Sequence, residues 1–185
     1  MKLTRISLLV LVFAVAGVSV LGSTTVSGSL VAPSGARAHP PLSGGTSSVD
    51  ELLGRFVAAL EANDGAALEA LRVSEDEYRK IIMPGSVKPG QPPQKLSPAA
   101  DEYFWQSLNL KSLYGGRALL AGYSGRKYRI RNVTWLKGID DYAWYRCYDR
   151  LELTMLDESG EEHMLNTGSV AEVDGRFKFI SFIRD

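Results

Sequence analysis

The groups best able to do chemistry crowd into one stretch, DYAWYRCYDRLELTML, residues 141–156, which holds Tyr145, Asp149 and the single cysteine, Cys147. One cysteine closes no internal disulfide, so Cys147 is a core thiol, an intermolecular link or a nucleophile. A nucleophilic thiol needs a base and a lowered pKa. The nearest histidine in sequence is His163, and with DESGE (157–161) as a hairpin turn its strand partner lies far from Cys147. We therefore expect a buried, inert thiol. His163 has no second His or Cys and no clustered carboxylates at ligand spacing, so no metal and no other cofactor is expected.

Asp149 is the sharper candidate. If residues 142–156 alternate regularly, Tyr145, Cys147, Asp149, Leu151, Leu153 and Met155 share an apolar face and Tyr142, Trp144, Arg146 and Tyr148 share the other. A carboxylate alone on an apolar face has a raised pKa unless paired, which is how a general base is tuned. Tyr145 and Tyr103 could supply hydroxyls, and Trp105 joins them in a candidate pocket, although aromatic residues at helical spacing are usually core. The competing structural reading has a bulge turning Asp149 outward, or an ion pair with Arg129, Arg131 or Arg176. We favour the structural reading, because structural ion pairs perturb pKa values too. The opposite face, Tyr142, Trp144, Arg146 and Tyr148, carries the residue types enriched at interface cores, so sheet-to-sheet homodimerisation is expected there.

Other chemistries lack support. Lys and Arg number 21 against 21 Asp and Glu, without a basic run, so no nucleic-acid partner is expected. No Walker loop, GxGxxG, HExxH or GxSxG occurs.

The elements that must position these residues follow from period and punctuation. Ser48 with Glu51, and Ser74 with Glu77, have capping-box spacing. Behind the first, Leu52, Leu53, Phe56, Val57 and Leu60 fall on one helical face, and Asn63-Asp64-Gly65 ends that helix and caps a second. Residues 84–97, PGSVKPGQPPQKLS, hold four prolines and exclude helix and central strand. Ser97-Pro98 opens the longest helix, with Trp105, Leu108, Ser112 and Leu119 on its core side and a kink expected at Gly115-Gly116. After Gly125 the period changes to two, giving strands over 128–136, 142–156, 162–173 and 176–183 with turns between them. Helices first and strands last imply α+β: N-terminal helices packed on a curved four-stranded antiparallel meander.

At the N-terminus, Lys2 and Arg5 precede an uncharged apolar run from Ile6 to Gly22, the pattern of a secretory signal peptide or, uncleaved, of an anchor. Residues 23–47 are rich in Ser, Gly and Pro and read as a flexible linker, with the domain at 48–185. The chain is expected to be exported, periplasmic or secreted, and to meet a membrane only if residues 6–22 stay attached.

Three stretches, FVAALEANDGAALEAL, RNVTW with YAWYRCYDRLELTML, and VAEVDGRFKFISFIRD, resemble the opening helix pair, long bent strands and closing hairpin of the nuclear transport factor 2-like superfamily. The whole chain is similar to exported bacterial members of that superfamily. The resemblance implies a cone-like sheet and, as in ketosteroid isomerase, a place for a general base in the cone. One departure is the proline-rich segment 84–97, where members carry a short strand pair. The superfamily includes enzymes, ligand binders and interaction modules. The expected function is non-catalytic binding of a small apolar ligand or an envelope protein; the alternative is a cofactor-free isomerase or lyase using Asp149 with a tyrosine.

Overall fold

A computed structural model describes residues 39–183; the expected signal or anchor at 1–22 and the linker up to residue 38 lie outside the described residues. The order is α+β, with helices α1 (Val49–Glu61), α2 (Gly65–Ala70), α3 (Glu75–Glu77), α4 (Met83–Gly85) and α5 (Pro98–Tyr123) ahead of seven short strands. A π-helical turn, Tyr78–Ile82, joins α3 to α4. Its wider winding buries Tyr78, Ile81 and Ile82 together.

The caps form where the spacing placed them. Ser48 accepts from the Glu51 N–H, and Asp64 caps α2. At α3 the box is complete. At α1 only half of it closes, because the Glu51 carboxylate turns to the Ser47 N–H and hydroxyl instead. The proline-rich stretch expected to exclude helix from residue 84 does so only from residue 86, because Pro84 and Gly85 close the short helix α4, where a proline at an early helical position leaves no N–H unsatisfied; 86–97 contains no helix or strand.

The expected kink in α5 is absent: the helix runs unbroken for 26 residues. Gly115 serves close approach instead. A Cβ there would lie 1.8 Å from the Phe182 carbonyl oxygen, because the segment after the last strand lies directly on the helix. The Phe182 N–H donates to the buried Ser112 hydroxyl at 2.9 Å and fixes that contact.

The strands are β1 (Tyr128–Trp135), β2 (Ile139–Asp141), β3 (Arg146–Tyr148), β4 (Leu151–Asp157), β5 (Glu162–Thr167), β6 (Val170–Val173) and β7 (Arg176–Phe179). They form two antiparallel sheets, β1-β4-β5 and β2-β3-β6-β7, not one four-stranded sheet. The physical reason is that the two long strands break. The first is interrupted at Asp149-Arg150, where Arg150 takes φ 60°, and the second at Gly168-Ser169. The left-handed Arg150 ends ladder pairing at the first break, and both long segments leave one sheet and enter the other. Asp174 and Gly175, both at positive φ, make the tight turn between β6 and β7.

Leu151, Leu153 and Met155 point inward as the alternation requires, and with Leu165 they meet Phe56, Leu119, Phe179 and Phe182 in the main core. Each such side chain contributes about 1.5–3 kcal/mol on burial. Part of the segment expected as linker is seated on the sheet. Leu42 is buried, and Thr46 exchanges two backbone hydrogen bonds with Phe177, covering the outer edge of β7.

Beneath that strap lies an ion pair that the sequence marks only as a cap. Glu77 and Lys178 meet at 2.8 Å with side chains 6% and 7% exposed. Glu77 also accepts from the Ser43 and Ser74 N–H groups, and Lys178 donates to the Ser43 carbonyl. Burial pushes the Glu77 pKa up, but Lys178 and the two N–H groups outweigh it, so the carboxyl is held below its ordinary value.

Candidate functional site

Asp149 sits at the strand break, half-buried, and its carboxylate accepts from the Ser169 hydroxyl at 2.6 Å. The Arg150 N–H donates back to that hydroxyl at 3.4 Å. The Asp149 backbone bonds both ways to the β1–β2 connection, to the Gly138 carbonyl and from the Lys137 N–H. Asp149 and Ser169 thus stand at the two breaks and tie one to the other. None of the arginines weighed in the sequence is needed to explain the acid.

Tyr145 is buried, and its hydroxyl exchanges a 2.8 Å hydrogen bond with Ser86, which donates to the Ile82 carbonyl. Burial raises its pKa strongly, so the phenol is neutral. Cys147 is buried beside it, and its thiol is pushed up to about 12, first by burial and then by Asp149 and Asp140. His163 pairs in register with Met155, whereas Cys147 pairs with Ala171 and Asp140. A protonated thiol flanked by carboxylates, which disfavour the thiolate, is unfit for nucleophilic attack.

Of the four candidate pocket residues, Trp105 and Tyr145 come together, but in a packed core cluster, and Tyr103 does not join them. Trp105 is buried against Tyr78 (5.3 Å between ring centroids) with the Arg72 guanidinium 5.5 Å from its ring. With Tyr145, Cys147, Ile81, Ile82 and Val173 it forms a second core cluster, so the space the sequence marks as a pocket is filled by side chains. Tyr103 is 68% exposed and faces outward, a correction to its placement in the pocket. Among the described residues, two surface hollows lie elsewhere. One of about 180 Å³ between α2 and α5 is lined by Leu68, Ser112 and Gly116. Another, of about 400 Å³, is a groove of alanines on α1 and α2. Neither has Asp149 or Tyr145 in its lining.

Three of the four residues expected at a dimer face, Tyr142, Trp144 and Tyr148, are partly buried. A bend at 142–145, before β3 begins, stacks Tyr142 on Tyr145 with centroids 4.9 Å apart. Trp144 covers Gly85 and lies against the His39 ring, 5.5 Å away. Tyr148 packs on Trp135 and Phe177 and donates to Glu172. Arg146 is exposed, paired with Asp141. Regular alternation, the premise for one shared face, fails at the bend.

Two features escaped the sequence reading. At the β4–β5 turn Asp157 accepts from the Ser159 hydroxyl and N–H, the Glu161 N–H and His163. The Ser159 hydroxyl and then His163 hold its carboxyl far below the usual range. The ligand atoms of Asp157, Glu161 and His163 lie within 4.8 Å of one another, a donor set suited to a divalent transition metal. The hydrogen bonds already account for Asp157 as the cap of this hairpin. The clue in the sequence was Asp157-x-Ser159, an Asx-turn pattern that brings carboxylates back to His163.

The second feature is the outer face of α5. Tyr103, Leu110 and Tyr114 are 68%, 55% and 62% exposed, with Phe104 and Leu113 on its flanks. The spacing i, i+7, i+11 puts the three on one line, opposite Trp105, Ser112 and Leu119. On the rule that helical aromatics are usually core, Tyr103 would be buried with Trp105. Adjacent helical residues are about 100° apart and cannot all face the same way.

The chain matches no known protein-family profile, no curated protein and no solved structure.

A structural role for Asp149 has a measurable consequence. Ser169→Ala, which strips the hydroxyl from both partners, is expected to lower stability by about 1.5–3 kcal/mol. Asp149→Asn keeps an acceptor and is expected to cost about 1 kcal/mol by urea denaturation. A catalytic carboxylate behaves oppositely, since neutralising a strained active-site charge commonly stabilises; a more stable Asp149→Asn variant would refute the structural role.

Proposed function

We propose that the chain is an exported, non-catalytic binding domain of the nuclear transport factor 2-like superfamily, and that it engages a protein partner through the outer face of α5. The observation that carries this reading is the exposed apolar line Tyr103, Leu110, Tyr114. Contiguous apolar surface on a folded domain marks an interaction site, because leaving it in water forgoes the free energy its burial would give.

The closed interior supports binding over catalysis. The second core cluster fills the region around Tyr145 and Cys147, and Asp149 is bonded to Ser169. The same closure favours a protein partner over a small apolar ligand, which needs a concave, enclosed site. The fold assignment is supported by helices preceding antiparallel strands, whose two long segments break at Asp149-Arg150 and Gly168-Ser169 and pass from one sheet to the other. Export rests on the charged start and apolar run of residues 1–22. Among the described residues, no helix is long and apolar enough to cross a membrane.

An environment-sensitive apolar dye such as anilinonaphthalene sulfonate tests the surface. The native protein at neutral pH is expected to bind it saturably, and the triple variant Tyr103→Ser, Leu110→Ser, Tyr114→Ser to bind at least fivefold less without a drop in melting temperature. Undiminished binding by that variant would refute the assignment of this face.

A further inference from the structure

We propose that the partner of the α5 face is a second copy of this chain, packed with the two α5 helices antiparallel about a twofold axis at Leu110. The proposal rests on the reading that this face is the binding surface.

The order of residues along α5 carries it. The start of the helix is net acidic, since Asp101 and Glu102 share Arg79 with Glu75 and so outnumber their cation, and the helix is basic further on, at Lys111 and Arg117. A parallel pair would set like charges together. An antiparallel pair centred on Leu110 brings Tyr103 of one copy opposite Arg117 of the other, and Glu102 beside the same arginine. Leu110 then meets its own copy, and Gln106 meets Tyr114. Opposed helix dipoles add to the preference. An interface of this kind is self-complementary, as twofold symmetry requires. The five exposed apolar side chains offer on the order of 500 Å² per copy, given the 150–250 Å² of a fully buried aromatic. With their polar neighbours they reach roughly the 800 Å² per partner of a standard interface.

The geometry fixes a crosslinking pattern. Cys147 is buried, so the native chain has no exposed thiol to interfere. Leu110→Cys in the full chain is expected to form a disulfide dimer under mild oxidation, since the two positions face each other near the axis. Tyr103→Cys is expected not to crosslink to itself, because the two copies lie about 21 Å apart along the axis. Mixed Tyr103→Cys and Arg117→Cys chains are expected to crosslink. Light scattering of the native chain at about 50 μM is expected to give twice the chain mass, and Leu110→Lys half of that with an unchanged melting temperature.

A dimer that survives Leu110→Lys would overturn the proposal by placing the interface elsewhere, on the sheet face for example. A native monomer with no Leu110→Cys crosslink would overturn it too. In that case dye binding lost on the triple serine variant would still support the α5 face as a site for a different protein, and dye binding retained would remove both readings.

Discussion

Replacing Lys178 with methionine is expected to lower the free energy of unfolding by about 3–5 kcal/mol, the cost of leaving one partner of a buried pair uncompensated. Glu77 would keep the Ser43 and Ser74 N–H groups but lose the cation it pairs with, in a site where its side chain is 6% exposed. The strap of residues 42–46 would loosen with it, because Lys178 also holds the Ser43 carbonyl. For a domain of this size the loss corresponds to a fall in melting temperature of roughly 10 °C. The double variant Glu77→Gln, Lys178→Met is expected to recover more than half of it, since an amide needs no counter-charge. The acid limb carries the same signature. A carboxyl with a lowered folded pKa binds its proton more weakly folded than unfolded. Its contribution is therefore complete above the unfolded value of about 4.3 and is lost as pH falls below it. Chemical denaturation at pH 7 and pH 3.5 checks this: the native chain should lose stability between them, and the double variant should lose less. Equal losses would mean the pair is not the buried unit described.

Gly115→Ala is expected to cost about 3 kcal/mol or more, although alanine gains about 1 kcal/mol over glycine as a helix former. The new methyl would sit 1.8 Å from a backbone carbonyl, which cannot rotate away as a side chain can. The segment 180–183 would have to lift from α5, breaking the Phe182–Ser112 hydrogen bond and uncovering Phe182, a member of the main core. Gly116→Ala is the control. Its nearest neighbours, at 3.6 and 3.7 Å, are carbons of the Phe182 and Leu68 side chains, so it is expected to be neutral or stabilising by up to about 1 kcal/mol. Urea unfolding of the two variants separates close approach from propensity. Equal stabilities would contradict the packing of the C-terminal segment on the helix.

These two sites show what local pattern can and cannot announce. Caps are written in three or four consecutive residues, and those at Ser48, Asp64, Ser74 and Ser97 form as spaced. The inward set Leu151, Leu153, Met155 follows from a period of two. Gly115-Gly116 has no such local meaning: read along the helix it suggests a kink, and only the distant Phe182 explains it. The Glu77–Lys178 pair spans 101 residues, so the capping pattern revealed one half of it and nothing the other. Asp149 illustrates a third limit. Its position between Cys147 and Leu151 was legible, but the left-handed turn at Arg150 and the facing Ser169, which decide its partner, were not. The α5 outer face was legible in principle, since Leu110 and Tyr114 cannot share a side with Trp105 and Leu119. A helix apolar on two sides yields no single stripe for a periodicity search to find.

The proposed outer binding face and the filled core around Tyr145, Cys147 and Trp105 stand or fall together. Methyl-resolved NMR of the native chain, titrated with a small apolar probe such as decanoate, tests this most directly. Shifts are expected at Leu110 and Leu113 on α5, with Leu153, Met155 and Leu165 unmoved. Saturable shifts of Leu153, Met155 and Leu165, with Leu110 and Leu113 silent, would contradict it and establish an internal ligand site.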